Sequence, residues 1–198
     1  MMHALTELIK SDMKPALGVT EPGAIAFAVS TAKAHIKGTV KRVGLRLNSG
    51  MYKNAFTCGI PGTSEVGNYY AAALGAVAAD PKKGLECLEG IGKAEEEAAG
   101  EMIKAGMISV SMSSITSRIF IEATVTGETS EAVVTIQDAH TNITKITENG
   151  TVVFEKEAKE LFEDCNEYEI RVLVDVLKAT KQSLRTVKLF EDKIEDNR

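Results

Sequence analysis

One stretch limits what this chain can fold into more than any other: Ala16-Leu17-Gly18-Val19-Thr20-Glu21-Pro22-Gly23-Ala24-Ile25-Ala26-Phe27-Ala28. A Gly/Pro turn empties there into a helix that is apolar nearly all the way round, through Ala24, Ile25, Ala26, Phe27, Ala28, Val29 and Ala32. A helix with no polar face must be covered on every side, so other elements have to enclose it. The pattern predicts a turn over Gly18 to Gly23 and a helix to about Lys37, stopped by Gly38. Pro22 reads as a first helical position, where its missing N–H costs nothing. Gly23 leaves the N–H groups of the next turn unobstructed, and such a helix start can hold a carboxylate or phosphate. Thr20 and Glu21 add a hydroxyl and an ionisable group at the same spot. The alternative is that they only cap a core helix.

Composition supports close backbone packing. The chain has no Trp, 5% aromatic residues and 16 glycines in 198 residues, so its core cannot be built on large rings. Hydrophobic content of 44% with 26% charged residues fits a soluble globular protein. A net charge of -5 argues against nucleic acid or an anionic membrane as partner. No apolar run reaches the roughly 18 residues of a spanning helix, and no signal-peptide pattern is present, so the expected location is cytoplasmic. Cys58, Cys87 and Cys165 stand far apart, and with His3, His35 and His140 they form no ligand spacing. No metal site made by this chain alone is expected.

Taken in order, Leu5, Leu8, Ile9 and Met13 predict a first helix over residues 2–14, ended by Pro15. Val43, Leu45 and Leu47 alternate with polar neighbours as a strand, followed by Asn48 to Asn54 as a polar loop. A second Gly/Pro turn, Cys58 to Thr63, opens another small-residue helix over Tyr69 to Ala79. Leu85 to Ala105 reads as one or two helices, with Glu95, Glu96 and Glu97 on a solvated face. From Ile108 the period becomes two residues, with strands around Ile108 to Met112, Ile119 to Val125 and Ala132 to Asp138. Asn149-Gly150 signals a tight hairpin before Val152. A last helix from about Glu167 carries a stripe from Ile170 to Val187, which must bury against this chain or another. The fold class read from this is α/β (α+β), buried Ala/Gly-rich helices on a mostly antiparallel mixed sheet. The expectation is a single domain over 1–190 and a frayed charged tail over 191–198. The flat apolar helix faces suggest a homo-oligomer, by default a homodimer.

Polar clusters fall in the loops: Thr20-Glu21, Lys53-Asn54, Pro61-Gly62-Thr63 and His140-Thr141-Asn142. A small zwitterion such as an amino acid needs donors for its carboxylate and acceptors for its ammonium. The helix starts at Gly23 and after Gly62, with Lys53, could supply the first. Glu21 and the Asn54 carbonyl could supply the second. His140, with an ordinary pKa near 6.5, is the candidate general acid/base. The alternatives are a turn histidine bonded to backbone and a solvated loop lysine. No Ser/His/Asp order, Walker loop or dinucleotide fingerprint is present.

Four motifs in order, Ala16 to Pro22, Lys53-Asn54, Ile60-Pro61-Gly62-Thr63 and His140-Thr141-Asn142-Ile143, resemble the amino-terminal half of the L-cysteine desulfidase family. Its members are also described as serine dehydratase alpha-subunit-like. The resemblance runs from the first helix to about Val187. It implies a lyase that removes the β-substituent of L-cysteine or L-serine and releases pyruvate and ammonia. The family uses a [4Fe–4S] cluster as Lewis acid. By carry-over, Thr20, Glu21, Lys53, Asn54, Gly62, Thr63, Thr141 and Asn142 would bind substrate, with His140 and Glu21 catalytic. Where the family's motif has a cysteine understood as a cluster ligand, this chain has Val19, which cannot coordinate iron. The family's other ligands lie in a carboxy-terminal half. No cofactor is therefore expected in this chain by itself, and the implied partner is a second chain carrying that half. The second reading is a non-catalytic amino-acid-binding or regulatory module that retains the pocket.

Overall fold

The computed structural model describes residues 16–116 and 118–156, which lie within one compact unit, Pro15–Ala158. The predicted helices over 2–14 and from Glu167 fall outside the described residues, as do the ends of the 1–190 domain and the charged tail. In order, the elements are α1 (Thr20–Ala34), β1 (Arg42–Asn48), α2 (Ser49–Phe56), α3 (Gly67–Val77), a 3-10 segment (Pro81–Glu86), α4 (Lys93–Lys104), β2 (Ile108–Ser114), β3 (Phe120–Thr126), β4 (Glu131–Gln137), β5 (Ile143–Glu148) and β6 (Thr151–Glu155). The strands form one six-stranded sheet in the order β2-β1-β3-β4-β5-β6. Among the described residues only β1 and β2 run parallel, and the other pairs are antiparallel. The fold is thus α/β, with helices packed on a mixed, mostly antiparallel sheet.

Each strand puts alternate residues on opposite faces. Val43, Leu45 and Leu47 of β1, Ile121, Ala123 and Val125 of β3, and Ala132, Val134 and Ile136 of β4 are all buried under the helices. Arg46 and Glu122, cross-strand partners on the other face, make an ion pair at 2.8 Å. The connection from β1 to its parallel neighbour β2 holds α2, α3 and α4. Asn149 and Gly150, both at positive φ (49° and 80°), make the β5–β6 turn that the dipeptide predicts. No helix among the described residues is long and apolar enough to cross a membrane.

The helix α1 is enclosed as its composition requires: every residue from Pro22 to Ala32 is buried. The two buried hydroxyls within it are satisfied locally, with Ser30 and Thr31 both donating to the Phe27 carbonyl. Its packing depends on missing side chains. A Cβ added to Gly75 of α3 would lie 2.8 Å from the Ala26 carbonyl oxygen and 3.0 Å from Ala26 Cα. One added to Gly23 would lie 3.0 Å from the Leu85 carbonyl oxygen.

The sequence reading needs four corrections here. Residues 49–56 form the helix α2, not a loop: Met51 and Ala55 share its buried side, and Tyr52 stacks on Phe56 one turn away. The helix α1 starts at Thr20, so Pro22 is its third residue, where a first-turn N–H still has no intrahelical partner. Gly23 gives close approach to Leu85 and does not open the helix start. The helix α3 starts at Gly67, held at φ 92° by a bond from its N–H to the Cys58 carbonyl, so nothing helical begins at Gly62.

Candidate functional site

At the amino-terminal end of α1, Val19 stands as N-cap with extended backbone and no side-chain cap bond. Valine has no acceptor to offer the first N–H groups, which Ser, Thr, Asp or Asn would cap for about 1 kcal/mol. Thr20 and Glu21 project from this first turn, both partly buried. The amide Nδ2 of Asn54, on α2, donates to Glu21 Oε1 at 3.1 Å across a separation of 33 residues. The other carboxylate oxygen, Oε2, faces the Thr20 hydroxyl at 3.5 Å. That hydroxyl also lies 3.4 Å from His140 Nε2, a contact between residues 120 apart. The result is a continuous polar chain, Asn54–Glu21–Thr20–His140.

His140 sits in the β4–β5 connection, which is braced by its own bonds. Asp138, at φ 66°, donates its N–H to the Ile119 carbonyl, and Asn142 N–H donates to the Ala139 carbonyl. Asn142 Nδ2 donates to the Gln137 carbonyl, and its Oδ1 accepts from Lys156 Nζ. Burial holds the His140 imidazole below its ordinary pKa of 6.5, and the Glu21 carboxylate partly opposes that shift. The ring is therefore neutral at pH 7 and able to take a proton.

The two Gly/Pro turns do meet: a Cβ on Gly18 would lie 3.3 Å from Pro61 Cγ. Beyond that, the predicted residues divide. Thr20, Glu21, Asn54 and His140 come together. Lys53 is exposed on α2 beside Asn54. Thr63 closes its own turn, donating to the Ile60 carbonyl and accepting from Glu65 N–H. Gly62, at φ 83°, supplies the bend of that turn. Asn142 is committed to its loop, and Thr141 beside it is partly buried.

The sequence reading did not single out Cys58. Its thiol donates to the Asn54 carbonyl at 2.7 Å and so steadies the end of α2 that carries Asn54. The i, i+4 spacing of the two residues was the available signal, visible only once α2 is known to be helical. Cys87 is buried behind the helix start, its thiol on the Gly23 carbonyl at 3.5 Å, and burial pushes its pKa up to about 12.

No protein-family model matches the chain, and no solved structure matches it. Curated relatives do. A UPF0597 protein of Clostridium botulinum strain Okra (type B1) is 36% identical over 197 residues, covering 98% of this chain and 45% of the relative. A UPF0597 protein of strain Langeland (type F) aligns with the same identity and coverage. A further UPF0597 protein of strain Okra is 36% identical over 155 residues, covering 78% of this chain and 36% of the relative. The chain spans about half the length of the first two. Over nearly its whole length, then, this chain is similar to one part of the UPF0597 proteins.

Proposed function

We propose that this chain is the amino-acid-binding part of a cytoplasmic lyase of the L-cysteine desulfidase and L-serine dehydratase type, completed by a second polypeptide portion. The observation that supports this is the meeting of Thr20, Glu21, Asn54 and His140, drawn from three separate elements, at the start of one buried helix. Glu21, held by Asn54, is an acceptor for a substrate ammonium. The first turn of α1, without a side-chain cap, offers donors to its carboxylate. His140, kept neutral by burial, takes the proton from Cα. The electrons of that C–H bond form the Cα=Cβ bond as the bond from Cβ to sulfur or oxygen breaks. The leaving hydrosulfide or hydroxide takes that bonding pair and the proton held by His140, which returns to its neutral form. The aminoacrylate released hydrolyses to pyruvate and ammonia.

The [4Fe–4S] cluster of the resembling family does not fit the described residues. Val19 carries no donor atom. The Cys87 thiol is buried with a pKa raised to about 12, the reverse of a thiolate ligand. No group of three or more His, Cys, Asp or Glu among the described residues could hold a metal ion. A second reading, a module that binds the amino acid without transforming it, is supported by the same donor set, since Val19 supplies no ligand for the family's Lewis acid.

The test is a thermal-denaturation titration with L-cysteine and L-serine. Binding at about a hundred times Kd stabilises by about 2.7 kcal/mol. At about 2–4 °C per kcal/mol for a chain of this size, the melting temperature rises by several degrees. Glu21→Gln and Asn54→Ala are expected to abolish the rise. Absence of any shift with either amino acid overturns both readings. Pyruvate formed from a bound amino acid once the second portion is supplied separates the lyase from the binding module.

A further inference from the structure

We infer that Thr20 is a positioning residue that fixes the tautomer of His140, so that the proton-accepting atom of the neutral ring is Nδ1 and not Nε2. The inference follows from counting protons. A threonine hydroxyl has one proton to donate and lone pairs with which to accept. Thr20 Oγ1 has two polar neighbours, Glu21 Oε2 at 3.5 Å and His140 Nε2 at 3.4 Å. An ionised carboxylate can only accept, and Asn54 Nδ2 already engages its other oxygen.

If the Thr20 proton pointed to His140, two oxygens bearing lone pairs would face each other at Oε2, beside a full negative charge. If it points to Glu21, every atom in the row has a complementary neighbour: Nε2–H donates to Thr20 Oγ1, and Thr20 O–H donates to Glu21 Oε2. The carboxylate orients both dipoles the same way. Asn54 holds the far end still, so the preference passes through the hydroxyl to the ring. The hydrogen-bonded nitrogen of a histidine sets which nitrogen is bare.

The catalytic consequence, delivery of the Cα proton to Nδ1, rests on the lyase reading. The tautomer itself does not rest on it. The experiment is long-range 1H–15N correlation NMR of the chain labelled with 15N-histidine, at mildly alkaline pH. His140 is expected as a single Nε2–H tautomer with a bare Nδ1. Thr20→Val is expected to lose that signature and give a tautomer mixture, and Thr20→Ser to restore it. His35, whose Nδ1 lies 2.7 Å from Glu148 Oε1, is expected as the Nδ1–H tautomer throughout and so serves as an internal check on folding.

An Nδ1–H tautomer at His140 in the unaltered chain overturns the inference, whatever the variants do. So does an identical tautomer population in the unaltered chain and a folded Thr20→Val. Loss of amino-acid binding with the expected tautomer intact would instead sink the functional reading and leave the positioning role standing.

Discussion

Glu21 has both carboxylate oxygens occupied by neighbours before any substrate arrives, one by Asn54 and one by Thr20. If it binds an ammonium as proposed, a carboxylate held this way loses little freedom on doing so, which is the physical advantage of preorganisation. His140 is placed with comparable economy, but its burial leaves a mark on stability. Its folded pKa lies below 6.5, so at pH above that value both folded and unfolded chains hold it neutral and it contributes no pH dependence. As pH falls below 6.5, the unfolded chain takes up a proton that the folded one resists, and stability declines. The melting temperature of the unaltered chain is therefore expected to fall more steeply below pH 6.5 than that of His140→Gln. Parallel curves for the two proteins would show that burial does not set the ring's charge. At this scale the sequence was only partly legible. The sequence singled out Thr20, Glu21, Asn54 and His140 as polar residues in loops between apolar elements, and the structure brings their side chains together. Thr63 and Asn142 looked equivalent to them, yet both side chains bond backbone within their own turns, as Thr and Asn commonly do.

Among elements, α1 and α3 approach so closely that a single methyl group decides the fit. Gly75→Ala would put its Cβ 2.8 Å from the Ala26 carbonyl oxygen and 3.0 Å from Val29 Cβ, with backbone on one side and a β-branched residue on the other. Overpacking of this kind costs about 1–3 kcal/mol. A Cβ on Gly59 meets nothing within 4 Å, so Gly59→Ala is the matched control. Chemical denaturation of the two variants is expected to separate them by that margin, and equal midpoints would mean that the helix pair relaxes freely. The buried helix α1 was readable because its apolar residues run all the way round. The helix α2 was not, because Asn48, Ser49, Gly50 and Asn54 are turn formers and outvoted the two i, i+4 pairs, Met51 with Ala55 and Tyr52 with Phe56. In the structure Asn48 is the pivot of that region: its Nδ2 donates to the Thr116 carbonyl and its Oδ1 accepts from Phe120 N–H. Those long-range partners are what local pattern could not reveal.

For the described unit as a whole, the strands divide by how their pairings close. From β3 to β6 each strand pairs with the next along the chain. The strand β2 pairs with β1 in parallel only after the whole stretch from Ser49 to Met107 has been gathered in. Contacts that close long loops form late, because the chain entropy must be lost first. Pulse-labelling hydrogen exchange during refolding is expected to protect the amides of β4 and β5 before those of β2. Simultaneous protection would mean that the parallel crossover is no slower than the meander. His140 belongs to the early set by this logic, whereas its neighbours at Thr20 and Glu21 arrive with the helices.

The glycine seats of α1 acquire a meaning here beyond tight packing. Ile25, Phe27 and Val29 seat this helix in the core, and a slide of one turn would displace its tip by about 5.4 Å, enough to carry Thr20 out of reach of His140. Leu85 against Gly23 and Gly75 against Ala26 act as detents, backbone stops that index the helix along its track. In this molecule a spacing of a few ångströms between two polar side chains depends in part on places where there is no side chain at all.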